Sequence, residues 1–400
     1  MDAHLPIHSF ARIGTQCVPF EKIWGVVVAR LTLLCETTRR NTMPTSKSAG
    51  IQVSRSAAAA PGISLKNLAE HLGLSKAAVS LVINRSPSAK SIPRHTQDRI
   101  RAAARELNYR PNFMARSLRR QRSFTVGVVV PEISEGYAAL VLSGIEDHLS
   151  TEGYFYFVVS HRHRKDLLEK YPLLLQQRSV EGLIAVDTEC AGDVDVPIVA
   201  VSGHQELAGV TNIILNHKRA AKLALEHLTK LGHRRIAFIK GQDFSSDTEA
   251  RWEAVLASAR KLGLEVNRFL TGQLEGESSS PQLGYEVTKK LLASNEPFTA
   301  LFAFNDVSAI GAIQALREAG RRVPEDVSVI GFDDIQSAAF QNPGLTTIRQ
   351  PLREMGVIAA ETLLQRINAP AKLLYPKAIT IEPELIVRAT TAPPPSPPVS

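Results

Sequence analysis

ISLKNLAEHLGLSKAAVSLVIN, residues 63–84, is the stretch from which the rest of the chain can be read. Ser64 is a good N-cap, and Leu65, Leu68, Ala69 and Leu72 fall at i, i+3, i+4 and i+7, one stripe of a helix. Gly73 ends that helix. Ser75 starts a second one, in which Val79, Val82 and Ile83 again share a face. Two helices this short cannot form a core alone. They fit a helix-turn-helix, in which the first helix braces against a DNA backbone and the second enters the major groove; an ordinary αα-corner fits the same pattern. A third helix over 96–107, with Ile100, Ala103, Ala104 and Leu107 on one face, would close a three-helix domain.

Charge separates the two readings. Thirteen of the 47 Lys/Arg but only three of the 39 Asp/Glu lie in 62–122, so this segment is strongly basic and the remainder of a chain of net charge +8 is weakly acidic. A local patch of one sign is the footprint of a phosphate-binding module, whereas a solvated face would mix both signs. Early residues of the second helix, Ser75, Lys76 and Ala77, would meet the DNA: Lys reads guanine O6/N7 and Ala touches a thymine methyl. Ser80 and Asn84 are candidate backbone contacts. Pro111 stops the third helix, and Asn112 can cap a following helix of barely two turns, too short to be stable alone in water.

The succession of LAEHLGLSKAAVSLVIN, ELNYRPN, an A-x-x-L turn and TVGVVVPEIS resembles the lactose-repressor (LacI/GalR) family of bacterial transcription regulators over about 63–388. The resemblance implies a helix-turn-helix head followed by a two-lobed α/β periplasmic-binding-protein-like core of parallel sheets with three crossovers, near Asn216, Thr347 and Lys377. It also implies a hinge helix in 111–122 that orders against its partner's copy, with Leu118 wedged between base steps; Arg119, in the basic segment, is a candidate phosphate contact. The chain departs from the family at Ala78 (commonly Thr), at Leu81 (often Arg), and in the loop 85–95, about three residues longer than usual.

The expected organisation is a disordered leader at 1–61, a DNA-binding head at 62–110, the hinge at 111–122, an effector-binding and dimerisation core at 123–390, and a disordered proline-rich tail at 391–400. The segment 23–34 is apolar but too short to span a bilayer, and Met43 is a candidate native start. Three cysteines, Cys17, Cys35 and Cys190, are too few and too scattered for a disulfide framework or a zinc site, which fits a reducing cytoplasm.

From 124 onward, apolar runs alternate with amphipathic stretches. Strands are predicted at 125–130, 154–160, 182–186, 197–201 and 212–215, then at 235–240, 300–305 and 327–334. Helices are predicted at 138–152, 166–177 and 217–230. Two such series imply two lobes with parallel sheets covered on both faces. Ligands bind outside the carboxyl ends of such strands, which nominates Ser160, His161, Asp187, Ser202, Asn305, Asp306, Asp333 and Asp334. The last two read equally as a helix cap, and His161 in HRHR as a charged loop. The resemblance adds Arg251, in an R-x-x-A where the family has R-x-x-G, and assigns ligand contact to Asn305-Asp306.

No G-x-S-x-G, P-loop, H-E-x-x-H or cysteine-rich metal pattern occurs, so no catalytic activity, metal or cofactor is expected. The expectation is a cytoplasmic homodimeric regulator, most simply a repressor, that binds a palindromic double-stranded operator and answers to a small sugar-like effector. A protein co-regulator in place of the effector is the alternative. A solute-binding protein on the same core would instead need an exported N-terminus and no basic head.

Overall fold

The computed structural model describes residues 10–13, 16–19, 63–84, 86–110, 117, 121–133, 136–189, 194–204, 207–276, 279–369 and 375–395. The chain divides into two compact units, Met1–Arg110 and Pro111–Ser400.

In the first unit, β1 (Phe10–Ile13) and β2 (Gln16–Pro19) pair antiparallel, a ladder inside the 1–61 segment expected to lack order. The head consists of α1 (Leu65–Leu72), α2 (Lys76–Ile83) and α3 (Arg94–Glu106). Ser64 accepts from the Asn67 amide at 3.2 Å and Ser75 from the Ala78 amide at 3.1 Å, so both predicted caps form. Gly73 sits at φ 63°, the left-handed region a side chain disfavours, and turns the chain between α1 and α2. Leu68, Val79, Val82 and Ile100 are buried together as the core. The long loop is not slack: it forms a 3₁₀ turn, Pro87–Ser91, and Gln97 donates to the Ala89 and Ile92 carbonyls, each at 2.9 Å.

The second unit holds two six-stranded sheets. The first has the order β13-β7-β6-β5-β3-β4, built from β3 (Thr125–Val130), β4 (Phe155–Ser160), β5 (Gly182–Val186), β6 (Ile198–Val201), β7 (Val210–Leu215) and β13 (Ala378–Ile381), all parallel. Helices α4 (Tyr137–Thr151), α5 (Lys165–Gln177) and α11 (Leu352–Asn368) cover it. The second has the order β14-β12-β11-β10-β8-β9, from β8 (Ile236–Lys240), β9 (Thr271–Gln273), β10 (Ala300–Phe302), β11 (Ser328–Asp333), β12 (Thr346–Arg349) and β14 (Glu384–Ile386). Only β14, at its edge, runs antiparallel. Here the layers are α6 (His217–Leu231), α7 (Ser246–Lys261), α8 (Pro281–Ala293) and α9 (Asp306–Glu318), with a short α10 (Gln336–Ala339) after β11.

Three crossovers join the lobes, and two lie later than expected. The first is at Asn216, as predicted. The second follows β12, at Gln350 and Pro351 rather than Thr347, because Thr347 still pairs within the second sheet. The third is at Glu382 rather than Lys377, since β13 must first complete its ladder with β7. Position 391, the expected start of a disordered tail, is ordered: Thr391 bonds His227 at 3.0 Å, and the Ala392 carbonyl accepts from His233 at 2.8 Å.

Each lobe contains one helix crossing with no room for a side chain. A Cβ on Gly144 (α4) would overlap the Arg353 carbonyl of α11, and one on Gly356 (α11) would overlap that of Val141. Gly284 and Gly311 make the same contact between α8 and α9. Gly144→Ala or Gly311→Ala should therefore lower the stability of the core by about 1–3 kcal/mol in urea unfolding, whereas Gly263→Ala, with open space around it, should cost only the strain of its positive φ.

Candidate functional site

In the head, Ser75, Lys76 and Ala77 are exposed at the start of α2. Ser80 is not available as a phosphate contact. It is buried, and its hydroxyl and carbonyl take the Asn84 amide at 3.1 and 2.8 Å, so the pair finishes α2 instead. Asn112, Leu118 and Arg119 lie outside the described residues.

In the second unit, the carboxyl ends of both sheets meet at a cleft with about 690 Å³ of free space, part of it open to solvent. Arg251, on α7, is its central group. Its guanidinium is buried, lies 3.6 Å from the centre of the Phe332 ring and 4.4 Å from that of Phe304, donates to the Phe304 carbonyl and pairs with Asp247 at 3.0 Å one turn earlier. Its Nε–H has no partner among the described residues. Asp187, at the end of β5, reaches across the cleft: it accepts from the Ser246 amide at 3.0 Å and from the Ser246 and Ser245 hydroxyls at 2.8 and 3.1 Å. The single Ser246 hydroxyl proton is shared between Asp187 and the Ser202 carbonyl. At the rim, His163 of the first lobe stacks on Phe244 of the second with ring centres 3.6 Å apart.

Asp187, Asp333, Asn305 and Arg251 thus line one cleft. Ser202 lies just behind the wall, where it accepts the Tyr137 hydroxyl at 2.7 Å. His161 is a brace: buried, it bonds Thr188 at 3.1 Å and accepts the His163 amide at 3.1 Å, so it holds His163 in place. Burial pushes its imidazole down to about 4, which keeps it neutral and answers the charged-loop reading. Ser160 turns away to the Pro131 carbonyl.

Asp306 is a correction. It is fully buried in the second lobe, where it accepts the Ile335 amide at 2.9 Å and the Thr347 hydroxyl at 2.6 Å, and it does not line the cleft. Asn305 does, while capping α9 through the Ser308 amide at 2.8 Å. Neither Asp333 nor Asp334 caps a helix: Asp333 accepts from Gln350 at 2.7 Å, and Asp334 pairs with Arg349 and Arg388.

Sequence reasoning missed Tyr137, His163, Phe244, Phe304 and above all Asp247. Only Asp247 left a signal, an Asp–Arg pair four residues apart on one helix.

Burial raises Asp333 to about 7, against the opposing pull of Arg251, and raises Asp187 to about 6, with the Asp247 charge adding to the effect. A carboxyl whose folded value exceeds its unfolded one favours the folded core at acid pH and withdraws that contribution as pH rises through the folded value. The contribution of Asp333 should therefore fall between about pH 4 and 7. The stability difference between wild type and Asp333→Asn, followed by urea unfolding across that range, isolates it from the buried histidines, whose lowered values act in the opposite sense.

Residues 64–112 match the family described as bacterial regulatory proteins, lacI family, and residues 225–391 match a periplasmic binding protein-like domain. The chain is 33% identical over 334 residues to the HTH-type transcriptional repressor PurR of Haemophilus influenzae, spanning 81% of this chain and 97% of that protein. Its fold is similar to that of a lac repressor dimer bound to operator and the anti-inducer ONPF, with TM-score 0.73 and 27% identity over 83% of this chain and all of that one. A LacI-family regulator of Enterococcus faecium with bound ribose matches with TM-score 0.59 and 29% identity over 67% of this chain and 99% of that one. A basic helix-turn-helix head on a two-lobed core, and a relative matched over nearly its full length, make the chain a member of the LacI family of bacterial regulatory proteins.

Proposed function

We propose that the protein is a cytoplasmic, homodimeric transcriptional repressor whose grip on a palindromic operator is set by a small polar ring compound, sugar-like in the first instance, closed between the lobes. The observation that carries this reading is the Arg251 cleft: a guanidinium and four carboxyl groups, those of Glu132, Asp187, Asp247 and Asp333, arranged among Tyr137, Phe244 and Phe304, the mixture of apolar walls and convergent polar groups that small ligands use. Sugar hydroxyls donate to Asp187 and Asp333 and accept from the Arg251 Nε–H. A two-fold pair of heads follows from the recognition helix, because one short helix reads too few base pairs for specificity. A purine effector is the second reading, favoured by the 33% identity to a protein named PurR. The relatives are repressors, not enzymes, and among the described residues no helix is long and apolar enough to cross a membrane.

Isothermal titration of the whole protein against pentoses, hexoses and purine bases separates the two effectors; heat from none of them, with operator affinity unmoved, would favour a protein co-regulator. Phe244→Ala removes an exposed ring and should weaken the effector about tenfold without loss of stability. Arg251→Ala should abolish the response, but it also strands Asp247 as a buried charge, at a cost of about 3–5 kcal/mol of stability. On DNA, log affinity should fall with log salt by about 0.9 per phosphate neutralised. Lys76→Ala should relax one operator position by about 1–3 kcal/mol. Equal weakening on all sequences would mean that α2 is not the reading helix.

A further inference from the structure

We propose that His204, His217 and Asp247 form a binding site for a divalent first-row transition ion of the zinc class, which fastens the two lobes together beside the effector cleft. The three side chains come from separate parts of the fold. His204 lies in the first lobe beyond β6, His217 opens α6 immediately after the first crossover, and Asp247 sits in the first turn of α7 in the second lobe. Their candidate ligand atoms all lie within 4.8 Å of one another. Asp247 Oδ1 is 2.6 Å from His204 Nε2 and 3.2 Å from His217 Nε2.

Tetrahedral bonds of about 2.0–2.1 Å place neighbouring ligand atoms roughly 3.3 Å apart. The His217–Asp247 spacing already matches. His204, the most accessible of the three with 21% of its side chain exposed, has to withdraw from Asp247 by a fraction of an ångström. Two imidazoles and one carboxylate suit zinc, cobalt or nickel rather than magnesium or calcium, and leave a fourth position for water.

Two further features favour an ion there. Asp247 is oriented from behind, because its other oxygen is held by Arg251 at 3.0 Å, the outer-shell support that metal-binding carboxylates receive. Charge is the second. Glu132, Asp187, Asp247 and Asp333 line one cleft with a single guanidinium, Arg251, so carboxyl groups outnumber the one fixed cation and a divalent ion offsets part of that excess. An ion held by one residue from the first lobe, one from the crossover and one from the second lobe would resist their separation.

The test needs neither operator nor effector. Full-length protein is stripped with a chelator, dialysed and titrated calorimetrically with Zn²⁺, then with Co²⁺, whose absorption reports tetrahedral nitrogen and oxygen ligands. The expected result is one ion per chain and a rise in Tm. His204→Ala, at a partly exposed position that should not impair folding, should bind at least about tenfold more weakly and lose the rise in Tm. His148→Ala, an imidazole in the last turn of α4 and no part of the cleft lining, should bind like wild type. No binding by the wild type, equal binding by His204→Ala, or loss confined to His148→Ala would each overturn the proposal, leaving the cluster as a hydrogen-bonded contact between lobes.

Discussion

The cleft depends on one buried ion pair. Arg251 is only 5% exposed, its guanidinium packed against two phenyl rings and held by one carboxylate and one carbonyl. A buried charge tolerates that environment only when paired, so Asp247 is fixed as firmly as Arg251 itself. Fixing Asp247 fixes the first turn of α7 against the ends of β10 and β11. That turn presents the Ser246 amide and hydroxyl to Asp187 of the opposite lobe and offers Asp247 Oδ1 to His204 and His217. The wall of the effector cleft and the contact between lobes therefore have the same origin.

Strand ends supply the rest, and they do so under strain. Asp187, Ser202, Asp333 and Asp334 follow or end strands of the two sheets, and all have φ between 40° and 107°, a region few residues other than glycine adopt. Each is held there by bonds already described: Asp187 to Ser246, Ser202 to Tyr137, Asp333 to Gln350, and Asp334 to two arginines. Strain of this kind clusters at ligand clamps, where surrounding contacts over-determine the backbone. The rule that ligands sit beyond strand carboxyl ends found these residues without knowing that the chain bends sharply at them.

How far the sequence could be read follows from the same physics. Central strands such as Thr125–Val130 and Gly182–Val186 are buried on both faces and show as unbroken apolar runs. Outer and short strands do not. TGQ at 271–273, ELI at 384–386 and AITI at 378–381 carry too little apolar length to stand out, and missing the last two put the third crossover five residues early. Asp306 shows the limit for the site. A first-turn aspartate beyond a strand end points either into the cleft or down into its own lobe, and spacing cannot distinguish these. The Ile335 amide and Thr347 hydroxyl that draw Asp306 inward are 29 and 41 residues away. Asp247 is the converse, a cleft residue whose role depends on histidines 30 and 43 residues distant.

Motion in the core is confined by packing. The glycine crossings of α4 with α11 and of α8 with α9 bring backbones into direct contact, so each lobe moves as a body and flexing is left to the three crossovers. Two of these are tied together, since Asn216 donates to Glu382 at 2.9 Å and Arg219 pairs with Glu382 at 3.2 Å. What holds the lobes shut is largely polar: Asp187 with Ser245 and Ser246, His204 with Asp247, and Glu132 with the Ser279 amide, joined by the His163–Phe244 stack and by Leu140 of the first lobe packed against the core of the second. Such hydrogen bonds contribute on the order of 1 kcal/mol each after exchange with water, so closure is favoured by only a few kcal/mol in all. That is the same scale as the 1–3 kcal/mol typical of coupling between sites. A large apolar interface in the cleft would lock the lobes beyond the reach of a small ligand. A polar one keeps open and closed forms close enough in free energy for a few contacts to Arg251 and Asp333 to choose between them.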